Sequence, residues 1–279
     1  MLHLNIKSGW KSWYKKMKAQ KRLVDAPPEY IKRSLLDKHG NFAATEAYKA
    51  ARTNLLFTRV ADGCQILAFT STFQREGKTV TCCNLAMSVA ENGQKVLLID
   101  ADMRRPQIAN MFDIPNKSGL SECLAGMLVL DEKGKPRDMP YVQTKYPNLA
   151  IIPSGHIPPN PAELLASGRM KALLDVASQH FDYIFIDAPP VSVVTDAAVL
   201  ANVVHGYVLV VRAGITPMES LRSVVLKMEQ FGAHILGFVL NDLDAKSGSY
   251  KYSGYSYNKY KYHQGYRNYY SQAAPNEHH

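Results

Sequence analysis

Short apolar segments that alternate with polar loops and helical patterns constrain the fold of this chain more than any other feature of its sequence. Such segments, separated by helices, predict a mostly parallel central sheet that helices cover on both faces, which is an α/β fold. In such sheets, ligands bind beyond the carboxyl ends of the strands. The predicted strands are 65–71, 95–100, 148–155, 181–189, 206–214 and 234–243, and the predicted helices are 41–60 (capped by Asn41), 78–93 and 219–232.

The loop after the first predicted strand reads FTSTFQREGKTV. A phosphate-binding loop needs backbone amides that wrap phosphate oxygens, a lysine that balances their charge, and a hydroxyl for Mg²⁺ at a helix N-terminus. Thr72 stands where the usual first glycine lies, so the ordinary motif is only half matched. The position between a strand and a helix nevertheless favours a nucleotide site. Its candidate contacts are Ser71, Glu76, Gly77, Lys78, Thr79 and Val80.

Acidic residues end two further predicted strands. Asp100 and Asp102 follow one strand in LLIDADMRRP, and Asp187 follows another in IFIDAPP. Carboxylates at these places can serve Mg²⁺ or accept a proton, although Asp-x-Asp also occurs in solvated turns. Together with the phosphate-binding loop, they place three polar signals at one edge of one sheet and predict a nucleotide site there.

The net charge of +9 is concentrated at the two ends of the chain. Residues 1–38 carry +7 and residues 245–279 carry +4, whereas 39–244 carry −2. Basic arms on a neutral body do not indicate a body-wide nucleic-acid surface.

The four cysteines form no C-x-x-C pair, which predicts free thiols in a reducing cytosol. No apolar stretch is long enough to predict a membrane span, and no signal peptide is expected.

The first 23 residues carry seven basic residues and no acidic one. Trp10, Trp13, Tyr14 and Met17 recur at a spacing that puts them on one helical face. Aromatic residues on one side, with lysines around them, suit a helix that lies on an anionic membrane surface. Packing of the same face on the protein's own body is the alternative.

Tyrosines crowd the last 30 residues of the chain. Their spacers are mainly Lys, Ser, Asn and Gly, with no Val, Ile or Leu, so this segment cannot bury enough apolar surface and is predicted to be disordered. Composition alone leaves open a sticky segment, a base-stacking surface or a set of substrates. The nine tyrosines are Tyr250, Tyr252, Tyr255, Tyr257, Tyr260, Tyr262, Tyr266, Tyr269 and Tyr270.

Taken together, these motifs resemble those of the bacterial protein-tyrosine kinases of capsule and exopolysaccharide synthesis. FTSTFQREGKT resembles the family's Walker A motif, LLIDADMR its second Walker motif, and IFIDAPP its Walker B motif. SGHIPPNPAELL, residues 154–165, resembles a signature loop, and EAYKAARTN, residues 46–54, resembles the helix used for ring oligomerisation. The resemblance covers about 40–270.

The resemblance implies a P-loop NTPase fold of the deviant-Walker, MinD-like type, which uses ATP and Mg²⁺. It makes Lys78 the phosphate-binding lysine and Asp100 the carboxylate that activates the tyrosine hydroxyl, with Asp102 as the third catalytic residue. Thr79, Asp102 and Asp187 resemble the Mg²⁺-associated groups. Asn241 resembles the residue that reads adenine in related ATPases, and a plain turn asparagine is the alternative. The tail tyrosines become autophosphorylation sites, with transfer expected between subunits.

The resemblance also implies partners. This chain resembles the split type of kinase, which lacks its own membrane span. We therefore expect two partners, a separate transmembrane adaptor and a cognate tyrosine phosphatase. We also expect the kinase itself to be cytoplasmic and held at the inner face of the membrane. A homo-oligomeric ring of the unphosphorylated form would use Glu46, Lys49 and Arg52. The family pattern has arginine at the position of Lys49, and Pro-Gly at 74–75 where this chain has Gln74 and Arg75. Lysine lacks the arginine fork, so a ring contact at Lys49 should be weaker.

Two other functions remain as alternatives. A partitioning or septum-positioning ATPase would carry a second lysine early in the loop, where this chain has Phe73. A nucleic-acid-binding protein could stack bases on the Tyr/Lys tail, but a nucleotide site does not require nucleic acid as a partner. The expected domains are a basic segment and linker at 1–38, a kinase domain at 39–244 and a tyrosine-rich tail at 245–279.

Overall fold

The computed structural model describes residues 35–36, 42–58, 60–126, 140–191 and 197–243. In this part of the chain, seven strands form one sheet. They are β1 Gln65–Ser71, β2 Val96–Asp100, β3 Val142–Gln143, β4 Leu149–Ile152, β5 Tyr183–Asp187, β6 Gly206–Arg212 and β7 Ile235–Asn241. The six predicted strands are confirmed, mostly with shorter bounds. The sequence does not predict β3, because two residues are too few to show a period.

The strand order is β3-β4-β2-β5-β1-β6-β7. Every neighbouring pair is parallel except β3 and β4, which are antiparallel. The mostly parallel α/β fold predicted from the sequence is therefore confirmed. Because the six long strands run in one direction, their carboxyl ends lie along one edge of the sheet, and the loops that follow them meet there.

Helices connect the strands. They are α1 Phe42–Phe57, α2 Lys78–Glu91, α3 Ile108–Phe112, α4 Leu120–Ala125, α5 Pro161–Leu165, α6 Gly168–Ala177 and α7 Met218–Gln230, with a 3₁₀ helix at Ala198–Asn202. The three helices predicted from the sequence correspond to α1, α2 and α7. The helices that the sequence does not single out are mostly one or two turns long, too short for a clear 3.6-residue period.

The sheet separates two apolar cores. On one face, α2 packs against the central strands, with Leu55 of α1 beside it. On the other face, α6 and α7 pack through residues such as Leu173 and Met228. All residues of β1, β2 and β5 are buried as a result. The cover is incomplete at the edge strand β7, where Phe238 is 55% exposed.

Some of the features predicted from the sequence fall outside the described residues. They are the aromatic face at 10–17, the cap at Asn41 and the nine tyrosines between 250 and 270. The described residues up to Asp242 belong to one compact unit. Among the described residues, no helix is both long and apolar enough to cross a bilayer. The four cysteines are buried and form no disulfide.

Candidate functional site

The loop between β1 and α2 is closed by its own side chains. The Ser71 hydroxyl donates to the Phe73 carbonyl at 2.8 Å, and the Phe73 amide donates to Glu76 Oε2 at 3.0 Å. Arg75 and Gly77 both have positive φ, 68° and 88°. A Cβ on Gly77 would lie 1.9 Å from the Asn241 amide nitrogen, so both the conformation and the space at this position require glycine.

Lys78 is the first residue of α2, and its side chain lies among acids. Its Nζ donates to Asp187 Oδ1 at 2.7 Å and to Asp102 Oδ2 at 3.3 Å. Burial by itself would lower the pKa of Lys78, but the charges of Asp187 and Asp102 outweigh it and raise the pKa. The structure therefore places a charged ammonium group at the end of the phosphate-loop motif. The sequence predicts that this lysine binds phosphate.

Asp187 ends β5 and lies in register with Asp100 at the end of β2. Its Oδ1 accepts from Lys78, and its Oδ2 accepts from the Thr79 hydroxyl at 2.8 Å. Two of the predicted Mg²⁺-associated groups, Thr79 and Asp187, are thus in direct contact. These two residues, 108 positions apart in sequence, meet because β1 and β5 are parallel neighbours, so the helix that follows β1 begins beside the end of β5.

Asp100 is completely buried. Its Oδ2 accepts from the backbone amides of Gln107 and Ile108 at 3.1 and 3.0 Å, at the start of α3. Its Oδ1 is buried and has no hydrogen-bond partner in the described structure. Burial, then the nearby charge of Asp187, raises the pKa of Asp100 to about 8. One oxygen thus anchors the carboxyl group, while the other is available to a proton.

Asp102 lies beyond the end of β2, in a turn closed by the Arg105 amide, which donates to the Asp102 carbonyl at 3.0 Å. The Arg105 guanidinium donates to the Gln74 side chain at 3.0 Å. This contact joins the turn to the phosphate loop.

Asn241 ends β7, and its side-chain amide donates to the Glu76 carbonyl at 2.9 Å. The Glu76 carboxyl accepts from the Thr216 hydroxyl, so the predicted contact residue Glu76 also braces the loop. Burial raises the pKa of Glu76, an effect that the bond from Thr216 opposes. Val80, another predicted contact, packs its side chain on the core, which leaves only its backbone for a nucleotide.

Sequence reasoning missed two residues of this site, Arg212 and Thr216. Arg212 ends β6 and donates from Nη1 to the Arg75 carbonyl at 3.3 Å, and Thr216 follows four residues later. The signal was present, because a polar residue at the carboxyl end of an apolar strand is the same pattern that identifies Asp187.

The predicted ring residues on α1 have different surroundings. Lys49 and Glu46 form an ion pair of 2.8 Å within the same helix. The Arg52 guanidinium turns toward α2 and donates from Nη1 to the Ser88 carbonyl at 3.0 Å. Glu46 and Lys49 are thus partly on the surface, whereas Arg52 is partly engaged by its own subunit.

The signature loop that begins at Ser154 is tied to the start of α4. Glu122 accepts from the Gly119 amide at 2.8 Å and from the His156 amide at 3.1 Å, and the His156 ring lies 2.8 Å from it. Burial would raise the pKa of Glu122, but these hydrogen bonds, led by the His156 side chain, lower it to about 2. A Cβ on Gly155 would overlap the Glu122 carboxyl, so the loop packs here only with glycine.

The oxygens of Thr79, Asp102 and Asp187 are the hard donors that Mg²⁺ prefers. In the described part of the chain, no group of three or more His, Cys, Asp or Glu side chains could hold a metal ion by itself. Mg²⁺ commonly takes one or two carboxylates, with waters and substrate phosphates completing its shell. The residues present therefore fit an ion that arrives with a nucleotide.

Comparison with known proteins agrees with this geometry. An AAA domain family model matches residues 65–234. The putative tyrosine-protein kinase CapB of Staphylococcus aureus is 34% identical, over 75% of this chain and 90% of CapB. The tyrosine-protein kinase CpsD of Streptococcus agalactiae serotype III is 36% identical, over 74% of this chain and 85% of CpsD.

Solved structures of known proteins share the fold of this chain. The kinase domain of the Escherichia coli tyrosine kinase ETK has a TM-score of 0.68 and 36% identity, covering 76% of this chain and 80% of that domain. The chimerical protein CapA2B2 has a TM-score of 0.62 and 31% identity, covering 69% of this chain and 82% of its own. The septum site-determining protein MinD of Pyrococcus horikoshii, at 22% identity and a TM-score of 0.52 over 63% of this chain and 70% of MinD, shares the fold alone. The sheet is thus that of a P-loop nucleotide-binding protein, and the chain belongs to the bacterial tyrosine-protein kinases.

Proposed function

We propose that this chain is an ATP- and Mg²⁺-dependent tyrosine autokinase of capsular or exopolysaccharide synthesis, and that its substrates are the tyrosines at 250–270. The observation that carries the proposal is the meeting of Lys78, Asp102 and Asp187 at the carboxyl edge of the sheet, with Asp100 buried beside them. The family relationship supports it, because both curated relatives described above are tyrosine-protein kinases by name.

The residues divide the work of phosphoryl transfer. Lys78 and the loop backbone at 76–80 hold the phosphates, and Lys78 stabilises the charge that develops in the transition state. Thr79, Asp102 and Asp187 supply oxygens to Mg²⁺, which when bound neutralises phosphate charge. When the nucleotide and Mg²⁺ bind, Lys78 and Thr79 give up some of their contacts with Asp187 and contact the ligand instead.

Asp100 is the proton acceptor. Backbone amides hold its Oδ2, and its Oδ1 has no partner in the described structure. The tyrosine oxygen forms a bond to the transferred phosphorus as the bond from phosphorus to the ADP oxygen breaks, and the phenolic proton passes to Oδ1. Burial raises the pKa of Asp100 to about 8, so its ionised form is a stronger base than a solvated aspartate.

The tail can reach a neighbouring site. With the disorder that its composition predicts, a tail of 35 residues has a root-mean-square span of about 30–35 Å, roughly one domain diameter. Unmodified, the tail carries +4, which favours approach to a site lined by Asp100, Asp102 and Asp187. Length and charge also allow the tail to reach its own site, and we infer from the family resemblance that transfer occurs between subunits, within a ring that uses Glu46, Lys49 and Arg52.

The proposed partners follow from the family. The chimerical protein CapA2B2 is, by its name, one chain made from parts of two proteins, which supports a separate partner protein for this kinase. We propose from the family resemblance that this partner is a transmembrane adaptor. The basic segment at 1–23 would add contacts to that adaptor or to an anionic membrane surface, at about 1 kcal/mol per basic residue near the surface. A tyrosine phosphatase would reset the tail, and the protein would lie on the cytoplasmic side of the membrane.

Phosphosite mapping tests the proposed function. The full chain is incubated with ATP and Mg²⁺ and digested, and its peptides are analysed by mass spectrometry beside a sample kept in EDTA. We expect phosphotyrosine at several of the positions between 250 and 270, only with Mg²⁺. Nucleotide hydrolysis without any phosphotyrosine would instead favour a partitioning ATPase.

A further inference from the structure

Two neighbouring strand ends hold two successive carbonyls of the phosphate loop. Arg212 and Asn241 are paired in register across β6 and β7. The Arg212 guanidinium donates to the carbonyl of Arg75, and the Asn241 amide donates to the carbonyl of Glu76. The carboxyl ends of β6 and β7 thus contact the loop just before Gly77 and Lys78.

The first of these carbonyls belongs to a residue in an unfavourable conformation. Arg75 has a φ of 68°, in the left-handed region, which crowds the Cβ of any residue other than glycine. This chain has arginine at this position, where a glycine would carry no such penalty. A residue that bears a Cβ stays in this conformation only if its surroundings hold it there.

Arg212 is well placed to hold it. Its side chain is 17% exposed, and its Nε and Nη2 both lie 2.9 Å from Asp242 Oδ2. The ion pair fixes the guanidinium plane and leaves Nη1 to donate to the Arg75 carbonyl at 3.3 Å. The backbone of Arg212 is fixed as well, because its amide donates to the Thr216 hydroxyl at 3.1 Å.

We propose that Arg212 is a positioning residue that holds Arg75 in its left-handed conformation and so keeps the phosphate loop in its nucleotide-binding shape. The proposal rests on the proposed function, because it assigns a role in ATP binding. Arg212 acts through the Arg75 backbone and does not itself bind the nucleotide. Asp242 orients Arg212 in turn.

The first measurement is on Arg212→Met in the full chain. Losing a charge-assisted hydrogen bond to the loop should raise the KM for ATP about tenfold, with kcat at saturating ATP within about twofold of wild type. Asp242→Asn, which keeps Arg212 but weakens its anchor, should raise KM about threefold. A fall in kcat with an unchanged KM would overturn the proposal.

The decisive comparison places Arg212→Met in two backgrounds, Arg75→Gly and Arg75→Ala. Both remove the Arg75 side chain, but only glycine removes the penalty of the left-handed conformation. The affinity for a fluorescent ATP analogue is measured for all variants. We expect Arg212→Met to weaken binding about tenfold in the Arg75→Ala background and less than about threefold in the Arg75→Gly background.

The two backgrounds separate positioning from other roles of Arg212. Equal losses in both would mean that Arg212 acts on the nucleotide directly or through general stability, and the positioning role would be rejected. Thermal unfolding midpoints of the same variants identify any that lose their fold, and Arg212→Lys, which keeps the charge, then replaces Arg212→Met. If the wild-type chain binds no ATP, the proposed function itself fails, a result distinct from binding that is unaffected by these substitutions.

Discussion

The ammonium group of Lys78 and the carboxylate of Asp187 form a buried ion pair, with Nζ 2.7 Å from Oδ1. The two side chains are 7% and 1% exposed, so neither charge has much contact with water. Losing one partner of such a pair typically costs about 3–5 kcal/mol, because the other charge stays buried. The pair therefore matters both for the proposed chemistry and for stability, and tests of Lys78 must measure both.

Lys78→Met should reduce tyrosine phosphorylation by at least about 100-fold, because the transferred phosphoryl group loses its cation. An anti-phosphotyrosine blot after incubation with ATP and Mg²⁺ measures this, and a thermal unfolding curve reports the fold. Lys95→Met is the matched control, since Lys95 is exposed just before β2, at the opposite edge of the sheet. Substantial phosphorylation by a folded Lys78→Met protein would contradict the assignment.

Asp100→Asn and Asp102→Asn should separate proton transfer from metal binding. We expect Asp100→Asn to bind ATP with Mg²⁺ within about threefold of wild type, because an amide oxygen still accepts from the α3 amides, and to lose phosphorylation about 100-fold. Asp102→Asn should weaken ATP binding about tenfold, and this difference should disappear in EDTA. Equal losses of Mg²⁺-dependent affinity in the two variants would rule out the division of labour.

Asn241→Ala distinguishes base reading from loop bracing. If Asn241 reads adenine, the substitution should weaken ATP binding about tenfold and GTP binding much less, so that the preference for ATP shrinks. If its amide only braces the Glu76 carbonyl, the affinities for ATP and GTP should fall by the same factor. Competition binding with the two nucleotides measures the ratio, and an unchanged ATP preference would reject the reading role.

Glu122→Gln should lower the free energy of unfolding, and the size of this loss should depend on pH. The pKa of Glu122 falls from an ordinary 4.5 to about 2 on folding, so its ionised form stabilises the native state above pH 4.5. That contribution is lost as the pH falls from about 4.5 to about 2. We expect a loss of about 1 kcal/mol in the free energy of unfolding at pH 7, allowing for solvent screening.

Urea denaturation at several pH values measures this loss. The gap between wild type and Glu122→Gln should close between pH 4.5 and about pH 2. Asp175→Asn is the control, because Asp175 is 61% exposed in a surface pair with Lys171 and should change stability by less than about 0.5 kcal/mol. A gap at pH 7 that persists unchanged at about pH 2 would contradict the ionic origin.

Phosphorylation of the tail should dissociate the ring. Each phosphotyrosine adds about −1.5 to −2 charges, so three of them bring the +4 of residues 245–279 to roughly zero or below, and more make it clearly negative. Tails of like charge should then repel one another and the acidic site. Light scattering should give a larger mass for Lys78→Met than for ATP-treated wild type, and equal masses across a range of concentrations would disprove the switch.

Much of the fold follows from the sequence because strand and helix periods are local. The apolar segments predict six of the seven described strands, and the residues at their carboxyl ends predict Lys78, Thr79, Asp102 and Asp187 as one cluster. The sequence does not predict β3, because this strand is too short to show a period.

The resemblance assigns different roles to Asp100 and Asp102, but only the tertiary structure shows how the surroundings of these two acids differ. The fold buries Asp100 under the α3 amides and leaves Asp102 in a turn beside Lys78. It also joins Arg212 to Arg75, 137 positions apart, through the order in which β1, β6 and β7 lie in the sheet. Strand order depends on long-range packing, which no local pattern of residues encodes, whereas the elements themselves are encoded by their own residues.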